Sequence, residues 1–302
     1  MRFLIITPSL NQVSRLKCCL ASVADQSGAG VDVIYHHVQD GASTDGTVEF
    51  LNQVNKLGRE NRYHFTFASE PDAGMYDAVN RGVRFLQNQT NCDVQSDHEV
   101  IVAWLNCDEQ YLSGTLQRVA EWFKNHPEKD ILFGNTVVVS SSGEPVCCRK
   151  AVLPFKWHVL TDHLSTLSAS TFTRLSAITD DNTWLSTRWK NRGDSEWIVR
   201  MLDRRVPMGR SRDYFSVFCD SIDSLGLQQG SLQEQRLLSQ QVPEIVRCLR
   251  PIWILFYRFR KFFSGGYRQK PFEYSIYCGT DQERTPFFIK EPQTRWKSRM
   301  GK

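Results

Sequence analysis

No stretch of the 302-residue chain approaches the roughly 20 uninterrupted apolar residues that cross a bilayer, so no transmembrane helix is expected. The first residues, MRFLIITPSLNQ, carry one basic residue and an apolar run too short for the core of a secretory signal. C-x-x-C spacing is also missing among the nine cysteines, and two pairs, Cys18-Cys19 and Cys147-Cys148, are adjacent in sequence. That pattern gives little basis for a structural zinc site and reads as small buried thiols in a reducing, cytoplasmic setting. Nor does one sign of charge dominate. Lys and Arg total 37 against 33 Asp and Glu, a formal net charge of +4, so placement of charge matters more than its sum. Wholesale disorder is excluded by 41% hydrophobic and 23% charged residues. The length suits one large α/β domain with an appendage, or two small domains.

What is present is an alternation of short apolar runs with helical patterns over the first 220 residues. Phe3-Leu4-Ile5-Ile6 reads as a buried strand, with Thr7-Pro8-Ser9 as the turn after it. Leu16, Leu20 and Val23 recur at helical spacing. Residues 31–38 form a second strand, closed by the turn-rich Gln39-Asp40-Gly41-Ala42-Ser43. Thr44-Asp45-Gly46-Thr47 opens a helix carrying Val48, Leu51 and Val54 on one face. Residues 64–68 are a third strand, 75–86 a helix, and 100–105 a fourth strand stopping at Asn106-Cys107-Asp108-Glu109. Such alternation predicts a mostly parallel sheet covered on both faces, with ligands bound outside the carboxyl ends of its strands.

The residues at those ends are Thr7, Pro8 and Ser9, then Asp40, then Glu70 and Asp72, then Asp108 and Glu109. Packed together the acids repel one another, and a hard divalent cation, magnesium or manganese, is the natural counter-charge for carboxylate oxygens. Taken singly, Asp40 also suits a turn and Asp108 a helix cap.

Four segments in order, ITPSLNQ, VQDGASTDGT, SEPDAGMYDAVNRGV and VAWLNCDEQY, resemble those of inverting family 2 glycosyltransferases. The resemblance covers about residues 1–220 and implies a GT-A-type α/β fold: a Rossmann-like, mostly parallel sheet with helices on both faces. It implies that Thr7 and Pro8 pack around base and ribose, with Ser9 and Asn11 close by. Asp40 matches the acid that accepts a hydrogen bond from the base, and Ser43 and Asp45 shape the loop beneath the nucleotide. Gly74 admits close approach of backbone to the donor, and Asp72, Asp77 and Asn80 match contacts to ribose or donor sugar. For Asp77 and Asn80, an exposed helix face is the other reading. Asn106-Cys107-Asp108 stands in the place of the metal-binding D-x-D triplet. Asn106 replaces its first acid, leaving Asp108 as the main ligand with Glu109 assisting.

The same resemblance makes Asp194, in NRGDSEW, the base that takes the acceptor's proton, with Glu196 a supporting acid. Placed at a helix N-terminus, Asp194 is expected to have a lowered pKa; a simple N-cap role is the alternative. Ser168 stands where histidine is common in the family, and His163 is no assured substitute.

Beyond residue 220 the resemblance fades. Residues 247–268, RCLRPIWILFYRFRKFFSGGYR, interleave arginines with aromatics. They suit either a helix lying in a membrane interface or an ordinary amphipathic helix packed on the domain. The expectation is a catalytic domain over 1–220 and a C-terminal extension over 221–302. It would transfer a sugar from a nucleotide donor, UDP-linked by preference, to a carbohydrate or lipid-linked hydroxyl, with peripheral contact at the inner face of the cell membrane. The alternatives are a non-catalytic nucleotide-sugar-binding module and a metal-dependent nucleic-acid-processing protein. Nucleic acid is not expected as a partner, since unmetallated carboxylates repel its phosphates.

Overall fold

A computed structural model describes residues 1–56, 62–90, 99–178, 184–220, 229–279 and 283–295. The elements run β1 (Arg2–Ser9), α1 (Val13–Ala24), β2 (Val33–Asp40), α2 (Thr47–Lys56), β3 (Tyr63–Ser69), α3 (Met75–Thr90) and β4 (Val100–Trp104). Then follow β5 (Glu109–Tyr111), α4 (Thr115–Asn125), β6 (Ile131–Val139), β7 (Pro145–Arg149), α5 (Lys156–Thr161), β8 (Thr171–Arg174), α6 (Gly193–Asp203) and β9 (Met208–Cys219). The last part holds α7 (Gln229–Gln240), α8 (Glu244–Cys248), α9 (Arg250–Phe263), β10 (Phe272–Ile276) and β11 (Thr285–Ile289).

Period-two alternation along β1 sets the layers. Leu4 and Ile6 join Val79, Val83 and Trp197 of α3 and α6 in one buried cluster. Phe3 and Ile5 join Cys19, Val23, Leu116 and Phe123 of α1 and α4 in another. Each face of the sheet is therefore closed by its own pair of helices, as a sheet buried on both sides requires. A Cβ on Gly82 would sit 2.6 Å from Ile6, so glycine lets α3 press onto β1.

The strand order is β3-β2-β1-β4-β8-β6-β9-β5, with β7 also on β6. Pairing is parallel through β3-β2-β1-β4, antiparallel at β4–β8 and β8–β6, and parallel again at β6–β9. The expected turn at Thr7-Pro8-Ser9 proves instead to be the end of β1, paired in register with Val38, Gln39 and Asp40. Pairing with β4 stops at Ile6 and Trp104, so Pro8 lies where β1 has lost one neighbour and a missing N–H is tolerated.

The described segment after residue 220 forms its own two-stranded sheet, β10–β11, which packs against the main one. Tyr274, Ile276 and Ile289 of the β10–β11 hairpin share a cluster with Val137, Val139 and Val217. Gln110 exchanges two hydrogen bonds with the backbone of Tyr277. Arg284 pairs with Asp25 at 2.6 Å and donates to the carbonyls of Tyr111 and Ser275.

Candidate functional site

The parallel strands end together, and their loops are tied by side chains rather than by more sheet. Asp45 accepts from the Val13 amide at the start of α1 and from the Thr47 amide and hydroxyl at the start of α2. These hydrogen bonds, that of Thr47 foremost, hold its carboxyl below the ordinary carboxylate range. Asn11, at φ +50°, accepts from the Thr44 amide, and its own amide donates to the Ser43 hydroxyl. The loops after β1 and β2 thus form one rim, which Glu70 joins by donating its amide to the Asp40 carbonyl.

Asp40 lies beneath that rim at 0% exposure. Its carboxylate accepts from the Ser43 amide at 2.9 Å, the Ser43 hydroxyl at 2.5 Å and the Ser69 hydroxyl at 2.6 Å. The base-reading role expected of Asp40 is not visible here as an exposed oxygen: the sealed side chain holds the 41–47 loop. Asp72 is the half-buried acid that approaches here, since a Cβ on Gly41 would stand 3.0 Å from its Oδ2. Its Oδ1 accepts from the Gly74 amide at 2.7 Å.

Other expected donor contacts divide by burial. Thr7 is buried and hydrogen-bonded to His36 at 2.9 Å, so only its backbone faces the site, and Pro8 is buried beside it. Ser9 is nearly buried, and its hydroxyl has no partner. Asp77 accepts from the Ala73 amide and pairs with Arg81 at 2.9 Å. Asn80 holds the Leu185 backbone by both ends of its amide. Asp77, Asn80 and Glu196 line a separate cleft of about 630 Å³ with Arg84, Arg200 and Arg204. Glu196 is hydrogen-bonded there to Arg200 at 2.7 Å, so it does not support Asp194 by contact.

At the end of β4, Cys107 turns its thiol into the core, and Asp108 faces a cleft of about 320 Å³ with Arg15, Gln110 and Tyr277. Glu109 is fully buried, and its Oε2 accepts from the Asn106 amide at 2.8 Å. Burial pushes its carboxyl well up, and the charges of Asp108 and Asp194 push it further. Glu109 therefore feels both its neighbour Asp108 and Asp194, which is far away in sequence. Two acceptor oxygens at this turn, Asn106 Oδ1 and Glu109 Oε1, are buried without a donor. Hard oxygens with orphaned acceptors are the donor type a divalent cation of the magnesium or manganese kind takes, although among the described residues the acids at 108, 109 and 194 do not converge as a preformed three-acid ligand set.

Asp194 begins α6, one residue after a glycine that packing makes obligatory. A Cβ on Gly193 would come within 2.7 Å of the Tyr76 ring. That ring is buried, and its hydroxyl reaches Asp194 Oδ1 at 3.5 Å. The Ser195 amide donates to the same oxygen at 2.7 Å. The lowered pKa expected from the helix terminus is corrected, because burial outweighs these hydrogen bonds and Arg192 and raises it. Sequence reasoning missed three further groups here. Glu234 of α7 accepts from the amides of Lys190, Asn191 and Arg192, all at 2.8 Å, fixing the approach to Asp194. Lys190 crosses to the Ala73 carbonyl beside Gly74, whose φ is +115°. Tyr76 was legible only as a helical apolar residue, and Glu234 carried no motif at all.

Ser168 opens a short turn before β8, and its neighbour Ser170 is hydrogen-bonded to Ser216 and the Asn135 carbonyl. His163 is bonded to Asp162 at 2.6 Å beside His158 and Tyr257, so it belongs to the packing of α9.

Compared with known proteins, residues 4–172 match the family model described as Glycosyl transferase family 2, more than half of the chain. The chain belongs to that family. Among curated relatives, a PGL/p-HBAD biosynthesis glycosyltransferase of Mycobacterium tuberculosis and one of Mycobacterium bovis are each 30% identical over 141 residues. That match covers 46% of this chain and 48% of each relative, so the chain spans about half the length of the curated relatives it matches. Among solved structures, S. aureus TarS 1–349 in complex with UDP-GlcNAc aligns with a TM-score of 0.57 at 13% identity, covering 89% of this chain and 76% of that one. The mannosyltransferase PcManGT from Pyrobaculum calidifontis, in complex with GDP-Man and Mn2+, aligns at 0.54 and 12% identity with the same coverage. At such identities the likeness establishes the GT-A family fold, and no more.

Proposed function

We propose that this protein is an inverting glycosyltransferase that moves one sugar from a nucleotide-diphosphate donor, UDP-linked by preference, to a hydroxyl of a carbohydrate or lipid-linked acceptor. The observation that carries the reading is that the acids of the β4–β5 turn, Asp108 and the buried Glu109, lie near enough to Asp194 of α6 for its charge to act on Glu109. Complexes of structural neighbours with UDP-GlcNAc and with GDP-Man support a nucleotide-sugar donor.

In this reading the rim of Ser9, Asn11, Ser43 and Asp72 surrounds the nucleoside, with Thr7, Pro8 and Asp40 shaping it from below. Asp108 would hold a divalent cation, manganese or magnesium, with the oxygens of Asn106 and Glu109 beside it. Such an ion would supply charge stabilisation to the departing diphosphate, worth several kcal/mol. Arg15, in the same cleft, brings a fixed positive charge to that side.

Asp194 accepts the acceptor hydroxyl's proton as the hydroxyl oxygen bonds to the anomeric carbon and the sugar–phosphate bond breaks, releasing a nucleoside diphosphate. Ser195 and Tyr76 both address its Oδ1, and no donor among the described residues reaches Oδ2. Oδ2 is therefore the oxygen assigned to the proton. A carboxyl raised by burial is a stronger base, closer to the working pH. Among the described residues no helix is long and apolar enough to cross a membrane, and a lipid-linked acceptor would be met by peripheral contact through the C-terminal extension.

The test is a panel of nucleotide sugars assayed for acceptor-dependent release of nucleoside diphosphate, with manganese, magnesium or chelator, and NMR assignment of the product anomer. Release from a UDP-sugar with inverted configuration is expected. Retained configuration, or donor binding without turnover across a broad acceptor panel, would overturn the proposal.

A further inference from the structure

Helix α9 is packed on the domain by the wrong face for an ordinary amphipathic helix. Its inward side is pinned by specific aromatic and polar contacts: Trp253 and Phe256 against Phe155, Tyr257 stacked on His158 at 4.3 Å, and Arg250 paired with Asp162 at 2.7 Å. Lys150 donates to the carbonyls of Gly265 and Arg268 just beyond the helix end. The outward side holds Ile252, Leu255, Phe259, Phe262 and Phe263, all exposed, with Phe263 at 70% and Leu255 at 67%. At 3.6 residues per turn these five fall in one stripe about 100° wide. Arg258 and Arg260 lie at its two edges.

A continuous apolar stripe in water needs a partner, and the surrounding charge says which. From residue 245 to 272 the chain has seven lysines and arginines and no aspartate or glutamate. Arg210 and Arg212 of β9 extend the basic surface. After burial, repulsion from Arg210 lowers the pKa of Arg260, and Arg210 and Arg212 together lower that of Lys150. Cations crowded together beside exposed phenylalanines match an interface whose surface is anionic and whose interior is apolar.

We infer that the outward face of α9 docks in the plane of an anionic phospholipid bilayer. Its phenylalanines enter the acyl boundary, while Arg258, Arg260, Arg268 and the β9 arginines meet headgroup phosphates. This specifies the membrane contact of the proposed function and is independent of the transfer chemistry. Because α9 is fixed to α5 and to Phe155 before it rather than tethered, docking also fixes the orientation of the domain at the surface.

The test is flotation of the full chain with vesicles of phosphatidylcholine alone or mixed with phosphatidylglycerol, at low and high salt. Wild type is expected to float with the anionic vesicles at low salt and much less at high salt, where screening shortens to a few ångströms. Phe259→Ser with Phe263→Ser should weaken partitioning at least about tenfold, and Arg258→Glu with Arg268→Glu should remove the preference for phosphatidylglycerol. Asp194→Asn should float like wild type, which separates this surface from catalysis. Since the substituted phenylalanines and arginines are at the surface, unchanged thermal unfolding is expected for those two variants. Wild type that remains unbound to both vesicles, a phenylalanine variant that floats undiminished, or a stable dimer in sedimentation that covers Phe259 and Phe263 would overturn the inference.

Discussion

On the donor side of the site, Asn11, Ser43 and Asp45 close the loops after β1 and β2 by bonding to one another's backbone. Across it, Asp194 is held by Tyr76 from α3 and, through the three amides before it, by Glu234 from α7. The first arrangement is assembled from polar residues within two neighbouring loops. The second draws on elements separated widely along the chain, including one from beyond residue 220. A site with one local wall and one long-range wall should fail in two different ways when mutated.

The sharpest break is expected at the base itself. Asp194→Asn keeps the shape and the Ser195 hydrogen bond, and should lower kcat by about 10²–10⁴-fold while leaving donor binding near wild type. Fold stability should hold or rise, because the structure disfavours the charged form of this buried carboxyl. Single-turnover kinetics with calorimetric donor titration checks this; an Asn variant with wild-type kcat removes Asp194 from the chemistry. Next in size, Asp108→Ala should cost about 10²-fold in kcat/KM and weaken the manganese or magnesium dependence of turnover. Unaltered metal response would place the cation elsewhere.

Glu234 sharpens the contrast between the two walls. Removing its carboxylate in Glu234→Ala leaves three backbone amides without their acceptor, and a hydrogen bond to a charged group contributes about 1.5–3 kcal/mol. The expected result is a lower Tm together with a roughly tenfold loss of kcat at little changed donor KM, since the donor wall does not depend on Glu234. A lower Tm with kcat preserved would make Glu234 a purely structural clamp.

How much of this the sequence disclosed follows the same division. Turn-forming acids after apolar runs mark Asp40, Asp72 and Asp108, because strand period and loop chemistry are both local signals. The mostly parallel character of the sheet was likewise implied by the alternation of strands with helices, while its order β3-β2-β1-β4 was not. Burial was not readable. Asp40 and Glu109 share composition and position with surface acids, yet three side-chain and backbone donors enclose one and the core encloses the other. Pro8 suggested a turn because a lost neighbour on one side of β1 cannot be seen without the sheet. Glu234 left no motif, and Tyr76, though inside a motif segment, carried no assigned role, since the meaning of both depends on which distant loop they touch.

The smallest effect expected is on stability, and it lies wholly under the donor wall. His36 and His37 sit side by side in β2 with no exposure, bonded to Thr7 and Tyr63 and to Thr66 respectively. Burial pushes His36 down to about 3, with repulsion from His37 adding to it, and pushes His37 down to about 4. In the unfolded chain both return to about 6.5. Between those values the unfolded state holds protons that the native state lacks, so stability rises with pH and is lost as pH falls below about 6.5. The loss is about 1.4 kcal/mol per pH unit for each histidine, or roughly 2 kcal/mol apiece by pH 5. Urea midpoints measured from pH 7 to 5 should fall accordingly, and His37→Gln, whatever its own cost, should remove about half of the slope. Midpoints independent of pH over that range would mean that the imidazoles are not held neutral. The donor wall would then rest on something other than a dry β1–β2 core.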